Sequence, residues 1–185
     1  MRKLKARYIG VVLFLVLWMT PSFGADVAKI GVVDFQKIME TSSAGKASQA
    51  AINKQGKKME TDLKQQQAEL QGLKQKLDRE AMVMSKEMRD EKEREFRIRI
   101  NDFKSLEKKY KQQLAVLNKT LVKRMQDDIF QLVQELGRNE GYLMIVEKLE
   151  GGVIYLPETI NITDKVIKLY NEKFAQGTTG VKAEQ

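Results

Sequence analysis

The sequence predicts an α+β fold in which a long antiparallel α-helical coiled-coil hairpin is inserted into a small β-sheet body. Residues 29–39, KIGVVDFQKIM, have the composition of a buried strand that runs into a short helix. A long stretch rich in Lys, Glu, Gln and Leu follows, and further β-rich runs come only after it. Because a single strand cannot satisfy its own backbone hydrogen-bonding groups, we expect strand 1 to pair with the later strands 2 and 3 across the helical insertion.

The N-terminal segment has the features of a secretory signal peptide. Residues 1–8 carry four basic side chains and no acidic one, and residues 9–19, IGVVLFLVLWM, form an apolar run that Pro21 ends. This run is too short to span a bilayer. Ser22 and Gly24 place small residues at the −3 and −1 positions, so cleavage is expected after Gly24, with cleavage after Ala25 as the second choice. The protein is therefore expected to be exported, with a retained membrane anchor as the alternative.

Composition excludes several classes of function. The chain has no Cys and no His, so it can form neither a disulfide nor a nucleophilic or zinc site that needs these residues. A Gly-rich phosphate loop and the Asp spacing of a calcium loop are also missing. Removing residues 1–24, with their four basic side chains, lowers the formal net charge from +8 to +4, without the strong clustering of a nucleic-acid binder. We expect no enzyme, no cofactor and no nucleic-acid partner.

Residues 44–136 are predicted to be helical, with two apolar seams that are out of phase. The first seam repeats at the seven-residue steps of a coiled coil, through Leu63, Leu70, Leu77 and Met84. The second comprises Ile100, Phe103, Tyr110, Leu114, Leu117 and Leu121. Between them lies a charged run, DEKERE, residues 90–95. One continuous helix, roughly 140 Å long at 1.5 Å per residue, is one interpretation. We favour a hairpin that turns near residues 88–95 and pairs the two seams.

The segment after the hairpin supplies the partners of the first strand. Residues 142–146 and 153–156 are apolar, β-rich runs on either side of Gly151-Gly152, a pattern typical of a β-hairpin. Thr163 is a candidate N-cap for a C-terminal helix that should cover one face of the sheet. The predicted organisation is a β-rich oligomerisation body (residues 25–43 and 138–175), a helical hairpin (44–137) and a flexible tail (176–185).

The predicted body is small for a domain that is stable alone. At about 60 residues, a domain buries a poor share of its surface, and a three-stranded sheet leaves open edges. Several protomers that join their sheets would remove both problems, so a homo-oligomer is expected. The candidate residues of its core are Ile30, Val32, Leu143, Ile145, Val153 and Tyr155.

Three stretches of the chain carry a resemblance to a known family. They are KIGVVDFQKIM near the N-terminus, METDLKQQQAELQGLKQKL in the helical part, and GYLMIVEKLEGGVIYLPETINITDKVIKLYN near the C-terminus. Over residues 28–175 the sequence resembles the Skp (OmpH-like) periplasmic chaperones. The resemblance implies a homotrimer with a β-sheet body and three helical tentacles. It further implies an ATP-independent holdase that keeps unfolded outer-membrane β-barrel proteins in a cavity between the tentacles until membrane insertion. It implies no catalytic residue.

Apolar residues flank the predicted turn of the hairpin, in AMVMSKEM before it and FRIRI after it. Successive helical residues lie 100° apart, so these side chains cannot all face one narrow seam. Methionine suits surfaces that bind many sequences, because it is unbranched and polarizable. The candidate client-binding residues are Met82, Val83, Met84, Met88, Phe96 and Ile98. The alternative is that they only pack the tip of the hairpin.

Two other functions remain open at the level of sequence. The chain could be a structural coiled-coil spacer of the cell envelope, although a hairpin that returns to its base spans less than a straight rod. It could also contact anionic lipid or another polyanion through Lys54, Lys57, Lys58 and Lys64. A solvated helix face is the plainer interpretation of these lysines.

Overall fold

The computed structural model describes residues 28–181. The predicted signal peptide and its cleavage site after Gly24 therefore lie outside the described residues. The elements in chain order are strand β1 (Ile30–Val33), helix α1 (Phe35–Thr41), helix α2 (Ser43–Glu80), helix α3 (Lys86–Glu140), strand β2 (Met144–Glu147), a 3₁₀ turn (Glu158–Ile160) and helix α4 (Thr163–Ala175). We call residues 46–124 the arm and the rest of the described chain the body.

The sheet of the body consists of two parallel strands. Ile30 lies opposite Met144, and Val33 lies opposite Glu147, so β1 pairs with β2 across the whole helical insertion, as predicted. On the other edge of β1, Val32 forms an isolated parallel bridge with Asn161. β1 is therefore covered on both edges, whereas β2 has only β1 as a strand partner within residues 28–181.

The third strand, predicted at residues 153–156, is wrong: this run makes no strand in the described structure. The chain does turn after β2, since Gly152 adopts a φ of +64° and the Val153 N–H donates to the Lys148 carbonyl at 3.0 Å. The edge of β1 that a third strand could have used is occupied by Asn161. Pro157, directly after the run, has no backbone N–H and would end a strand at this point.

α2 and α3 form the predicted antiparallel hairpin, but its turn lies at residues 81–85 and not at 88–95. Ser85 starts α3, because its hydroxyl accepts a hydrogen bond from the Met88 N–H at 3.3 Å. The charged run 90–95 lies inside α3, where ion pairs three and four residues apart stabilise a helix, as between Glu93 and Arg97 at 3.6 Å. In this chain, the run of charged residues of both signs therefore indicates a helix and not a turn.

The core of the body forms where α3 enters it. Met125, Ile129, Leu132 and Leu136 recur every three or four residues on α3 and are buried. They belong to one apolar cluster with Val33 of β1, Ile38 of α1, and Val166 and Tyr170 of α4. At the entrance to this cluster, Ser48 of α2 lies 3.6 Å from the Met125 sulfur of α3, and we call this point the root of the arm.

Two short side chains join the body around the start of α1. Asp34 caps α1, because its carboxylate accepts the Lys37 N–H at 2.8 Å, and it also pairs with Lys148 at 3.0 Å. Thr163 does not cap its own helix as predicted; its hydroxyl accepts the Asp34 N–H at 3.0 Å. The Thr163 N–H donates instead to the side chain of Asn161 at 3.1 Å. The first contact ties the start of α4 to the residue that follows β1, and the second fixes the turn before α4.

The segment after α4 is not the free tail predicted for residues 176–185. Thr179 and Val181 are buried, and Val181 belongs to the same apolar cluster as Met125 and Ile129. Residues 182–185 lie outside the described residues. Residues 176–180, QGTTG, are small or polar, so the sequence did not predict this packing. The contact with the core depends on a single apolar residue, Val181.

Candidate functional site

The end of the arm carries an apolar surface that its own fold leaves uncovered. Met82 is 93% exposed and Val83 is 86% exposed, both in the turn between α2 and α3. Met88 and Ile98 on α3 are also more than half exposed. We call these four residues the tip patch. Since the turn runs past the end of α2, no neighbouring helix is present to cover the first two side chains.

Met84 and Phe96, the other two predicted client-binding residues, are half-buried. Met84 helps to line a small cavity of about 80 Å³ between the helices, together with Leu73 and Leu77. Met84 thus packs within the hairpin and Phe96 is half-buried, whereas the tip patch remains at the surface. Client binding by the tip patch stays a prediction.

Charges of both signs surround the tip patch. Glu95 accepts hydrogen bonds from Lys92 at 3.3 Å and from Arg99 at 3.2 Å. The bond from Lys92, followed by that from Arg99, lowers the pKa of the Glu95 carboxyl below its usual value. The apolar side chains thus lie next to paired charges, which keep the tip soluble without covering the patch.

The body exposes a second apolar surface, beside the uncovered edge of β2. Leu143 is 74% exposed, and Met144, Leu149, Ile154 and Tyr155 are exposed as well. Of the residues predicted for an oligomer core, Leu143 and Tyr155 are exposed, Ile30 is at the limit of exposure, and Ile145 and Val153 are half-buried. Val32 is only 4% exposed, because β2 and Asn161 flank it within the same protomer. Val32 is therefore unavailable to a partner.

Phe130 was not predicted and adds to this surface of the body. It is exposed on α3 and lines a groove of about 330 Å³ with Leu143, Met144 and other residues (Val133, Gln134, Gly137, Arg138, Tyr142 and Ile145). A sequence signal exists in retrospect. Phe130 lies between Ile129 and Leu132, which face the core, and a large aromatic residue off the core face of an amphipathic helix indicates a second contact surface.

The middle of the arm is polar between its helices. The Tyr110 hydroxyl of α3 donates a hydrogen bond to Asp62 of α2, and this bond raises the pKa of Tyr110 above its usual value. A cavity of about 670 Å³ lies nearby, lined by Gln66 and other residues of both helices (Asp62, Gln65, Glu69, Leu70, Gly72, Leu73, Lys76, Arg99, Asp102 and Phe103). Gln66, a polar residue at the seven-residue spacing between Met59 and Leu73, lines this opening.

The lysine-rich part of α2 carries its own counterion. Lys64 forms an ion pair with Glu60 at 2.6 Å. The hydrogen bond from Lys64, with a smaller contribution from Lys57, lowers the pKa of the Glu60 carboxyl. The predicted cluster of lysines is thus partly neutralised along the helix face. Lys57 and Lys58 are exposed beside this pair.

The described part of the chain contains no group of three or more Asp, Glu, His or Cys residues placed to hold a metal ion. Among the helices of residues 28–181, none combines the length and the apolar character that crossing a bilayer requires.

Comparison with known proteins gives consistent results. Residues 29–170 match the model of a family described as outer membrane protein (OmpH-like). A Skp-like protein of Pseudomonas aeruginosa PAO1 is 26% identical over 152 residues, which cover 82% of this chain and 89% of that protein. The crystal structure of a proposed outer membrane chaperone (OmpH-like) from Caulobacter crescentus CB15 superposes with a TM-score of 0.75 at 12% identity. The superposition covers 91% of the present chain and 97% of the Caulobacter chain. At 12% identity, this similarity shows a shared fold.

Proposed function

This chain belongs to the OmpH-like family of outer membrane proteins, and from that premise we propose that it is an ATP-independent periplasmic holdase chaperone. Its clients are unfolded outer-membrane β-barrel proteins, which it protects from aggregation before membrane insertion. The observation that carries the proposal is the tip patch. Met82 and Val83 are large apolar side chains that the fold leaves almost fully exposed at the end of a long arm.

An exposed apolar patch of this kind is suited to weak, unspecific capture. Unfolded β-barrel segments alternate apolar and polar residues, so a binder cannot rely on one sequence. Met82 and Met88 can adapt their shape to different partners, because methionine has three rotatable bonds and a polarizable sulfur. Each contact at such a surface contributes about 1 kcal/mol or less. A useful affinity therefore requires several contacts at once, and several arms around one client supply them.

The assembly that brings several arms together is proposed to be a homotrimer, the state that the family resemblance implies. The surface of the body supports self-association: the edge of β2 is uncovered, and the groove lined by Phe130, Leu143 and Met144 lies beside it. The run at residues 153–156 has strand composition but no strand partner within residues 28–181, with Ile154 and Tyr155 exposed. Pairing of this run with a neighbouring copy would satisfy both surfaces at once.

Export to the periplasm is part of the proposal and rests on the predicted signal peptide with cleavage after Gly24. Anionic lipid is not included as a partner. The lysines that suggested it lie on a helix face where Lys64 is already paired with Glu60. A spacer without clients is disfavoured, because such a rod has no use for the exposed tip patch.

The test is an aggregation assay with the chain lacking residues 1–24. An outer-membrane β-barrel protein is unfolded in urea and diluted into buffer without ATP, with and without an excess of the chaperone, and light scattering is followed. We expect scattering to be suppressed and the complex to appear by native mass spectrometry at the mass of an oligomer plus one client. Undiminished aggregation, with no complex, would refute the holdase proposal.

A further inference from the structure

The chain reverses direction after α4 and returns over α3. Gly177 adopts a left-handed φ of +69°, and its N–H donates to the Phe174 carbonyl at 3.0 Å. The Thr178 N–H and hydroxyl both donate to the Lys173 carbonyl, at 3.1 and 2.9 Å. This arrangement is a helix C-cap in which glycine supplies the left-handed turn. It directs the next four residues, 178–181, back onto the body, and we call them the strap.

The strap is packed although it is short and mostly polar. Val181 is 4% exposed and enters the apolar cluster that contains Met125 and Ile129 of α3. The Thr179 side chain is buried, and its hydroxyl donates to the Val181 carbonyl at 2.6 Å. The match to the family model ends at residue 170, so the strap lies beyond the part of the chain that defines the family.

One carboxylate on α3 anchors the strap. The Gly180 N–H donates to both oxygens of Asp128, at 3.1 and 2.9 Å, and the Tyr170 hydroxyl of α4 donates to the same carboxylate at 3.2 Å. Hydrogen bonds to an ionised acceptor are stronger than those between neutral groups. A Cβ at position 180 would lie 3.2 Å from the Asp128 carboxylate, so the close approach favours glycine there.

Asp128 lies at the level where α3 leaves the body. Met125, one turn closer to the arm, is in contact with Ser48 of α2. Glu135, two turns deeper in the body, forms an ion pair with Lys173 of α4 at 2.6 Å. α2 thus holds one side of α3 at the root, and the strap and α4 hold another side over the adjacent turns.

We propose that residues 178–181 fix the root of the arm to the body through Asp128, and so set the direction in which the arm leaves the body. Without the strap, α3 would be held at this level by α2 and α4 alone, and the two helices of the arm could swing more widely as a unit. The arm direction decides how far apart the tips of an assembly stand. The consequence for the size of client that fits between the arms rests on the proposed holdase function, but the mechanical role does not.

The experiment measures the arm direction without any client. Spin labels are placed at Val83 in the tip and at Lys168, an exposed residue of α4, in the full-length mature protein. Labelled chains are diluted into an excess of unlabelled chains, so that each distance belongs to one protomer. Two variants remove the strap or its anchor: a chain that stops after Gln176, and Asp128→Ala. The matched control is Asp127→Ala on the neighbouring residue, which is exposed and only pairs with Lys123 at 3.3 Å.

We expect the distance distribution to become at least twofold wider in both strap variants and to keep its width in Asp127→Ala. A distribution in the truncated chain that is as narrow as in the parent would overturn the proposal. Gly180→Ala serves as a milder variant if Asp128→Ala fails to fold, because it keeps the carboxylate and its bond to Tyr170 while displacing the strap. If the parent fails to protect unfolded clients, the holdase proposal falls, whereas a widened distribution still supports the strap.

Discussion

Asp62 of α2 and Tyr110 of α3 meet through a hydrogen bond in the middle of the arm, far from both the body and the tip. This contact defines the register of the hairpin, because the midpoint between the two residues is residue 86. Ser48 and Met125, at the root, have nearly the same midpoint. The two helices thus keep one register from the root to the middle of the arm, and positions that face each other can be read from it.

The first prediction follows from this register. Leu70 lies level with Phe103, and both line the same cavity between the helices. Leu77 is seven residues further along α2, about 10 Å at 1.5 Å per residue. Spin labels at positions 70 and 103 should therefore give a clearly shorter distance than labels at 77 and 103, measured by pulsed electron paramagnetic resonance. A shorter distance for the second pair would mean that the hairpin turns after residue 88 instead of at 81–85.

The second prediction concerns stability in alkali. The pKa of Tyr170 is raised above its usual value of 10.0, first by burial and then by the nearby Asp128 carboxylate, whose charge disfavours a phenolate. A raised pKa contributes stability that is complete below pH 10 and is lost as the pH rises through the higher value. Between pH 9 and 11.5 the melting temperature of the parent should fall more steeply than that of Tyr170→Phe. Tyr155→Phe is the control, since Tyr155 is exposed.

Equal slopes in the parent and in Tyr170→Phe would show that ionisation of this hydroxyl does not contribute to alkaline unfolding. The Phe variant should also be less stable at neutral pH by about 0.5–1.5 kcal/mol, because it loses one hydrogen bond to Asp128.

The third prediction concerns acid. The pKa of Asp34 is lowered from 3.8, chiefly by the hydrogen bond from the Lys37 N–H and further by Lys148. A lowered pKa contributes stability above pH 3.8 that is lost as the pH falls through the lower value. Asp34→Asn keeps a good helix cap, but its amide carries no charge that acid could neutralise. Its free energy of unfolding should change less between pH 5 and pH 2.5 than that of the parent, in urea titrations followed by circular dichroism.

Asp127→Asn is the matched control for acid stability, since Asp127 lies on the surface of α3 and only pairs with Lys123. It should show the same acid dependence as the parent. If the free energy of unfolding of Asp34→Asn changes with pH as much as that of the parent, the cap and the contact with Lys148 do not favour the charged form of Asp34 over its protonated form.

Much of the fold could be predicted from local patterns, because seams and strands are local signals. The seven-residue spacing of Leu63, Leu70 and Leu77 predicted a helix with a partner, and the antiparallel hairpin confirms it. The run 29–34 predicted a strand that pairs beyond the hairpin, and the pairing of β1 with β2 confirms it. The position of the turn could not be predicted in this way. The start of α3, and with it the end of the turn, is set by a single capping hydroxyl, that of Ser85. The charged run at residues 90–95, where the turn was predicted, is helical.

The parts that failed depend on contacts that a linear pattern does not contain. Residues 153–156 have strand composition, but Asn161 occupies the edge of β1 at which a third strand could pair. The local sequence does not indicate this long-range contact. Val32 was assigned to an oligomer surface because it belongs to a strand, but its neighbours in its own protomer bury it. The exposure of some of the apolar candidates was predictable, since neighbouring helical residues such as Ile98 and Ile100 cannot both face one narrow seam. Which of the six candidates packed inward depended on where α2 ended.

The fourth prediction separates assembly from folding with two Asp substitutions. Leu143→Asp places a charge on the exposed surface beside the edge of β2, whereas Val32→Asp places one inside the protomer. An unpaired buried carboxylate is costly, so Val32→Asp should unfold the body. Leu143→Asp should instead yield a folded protein of monomer mass in analytical ultracentrifugation, with unchanged helical circular dichroism. An oligomer of unchanged mass in Leu143→Asp would place the subunit contact elsewhere on the body.

The last prediction tests the tip patch directly. Replacing Met82, Val83 and Ile98 together by Gln removes apolar area at three exposed positions, while Gln remains compatible with a helix. Since none of these side chains is buried in the protomer, helicity, melting temperature and oligomer mass should stay as in the parent. Each lost contact contributes about 1 kcal/mol or less, so the triple variant should bind an unfolded β-barrel protein about tenfold more weakly. Fluorescence titration of a labelled client measures the binding. Light scattering after dilution of the client from urea measures its protection from aggregation.

Val116→Gln is the control for the tip patch, because Val116 is an exposed apolar residue of α3 away from the tip. It should bind the client as the parent does if capture takes place at the tip. Equal client protection by the triple variant and the parent would refute a role for the tip. Client capture would then have to use the groove at Phe130 and Leu143, which lies close to the body and would compete with assembly. Capture at the tip, in contrast, is compatible with the proposed subunit contacts on the body.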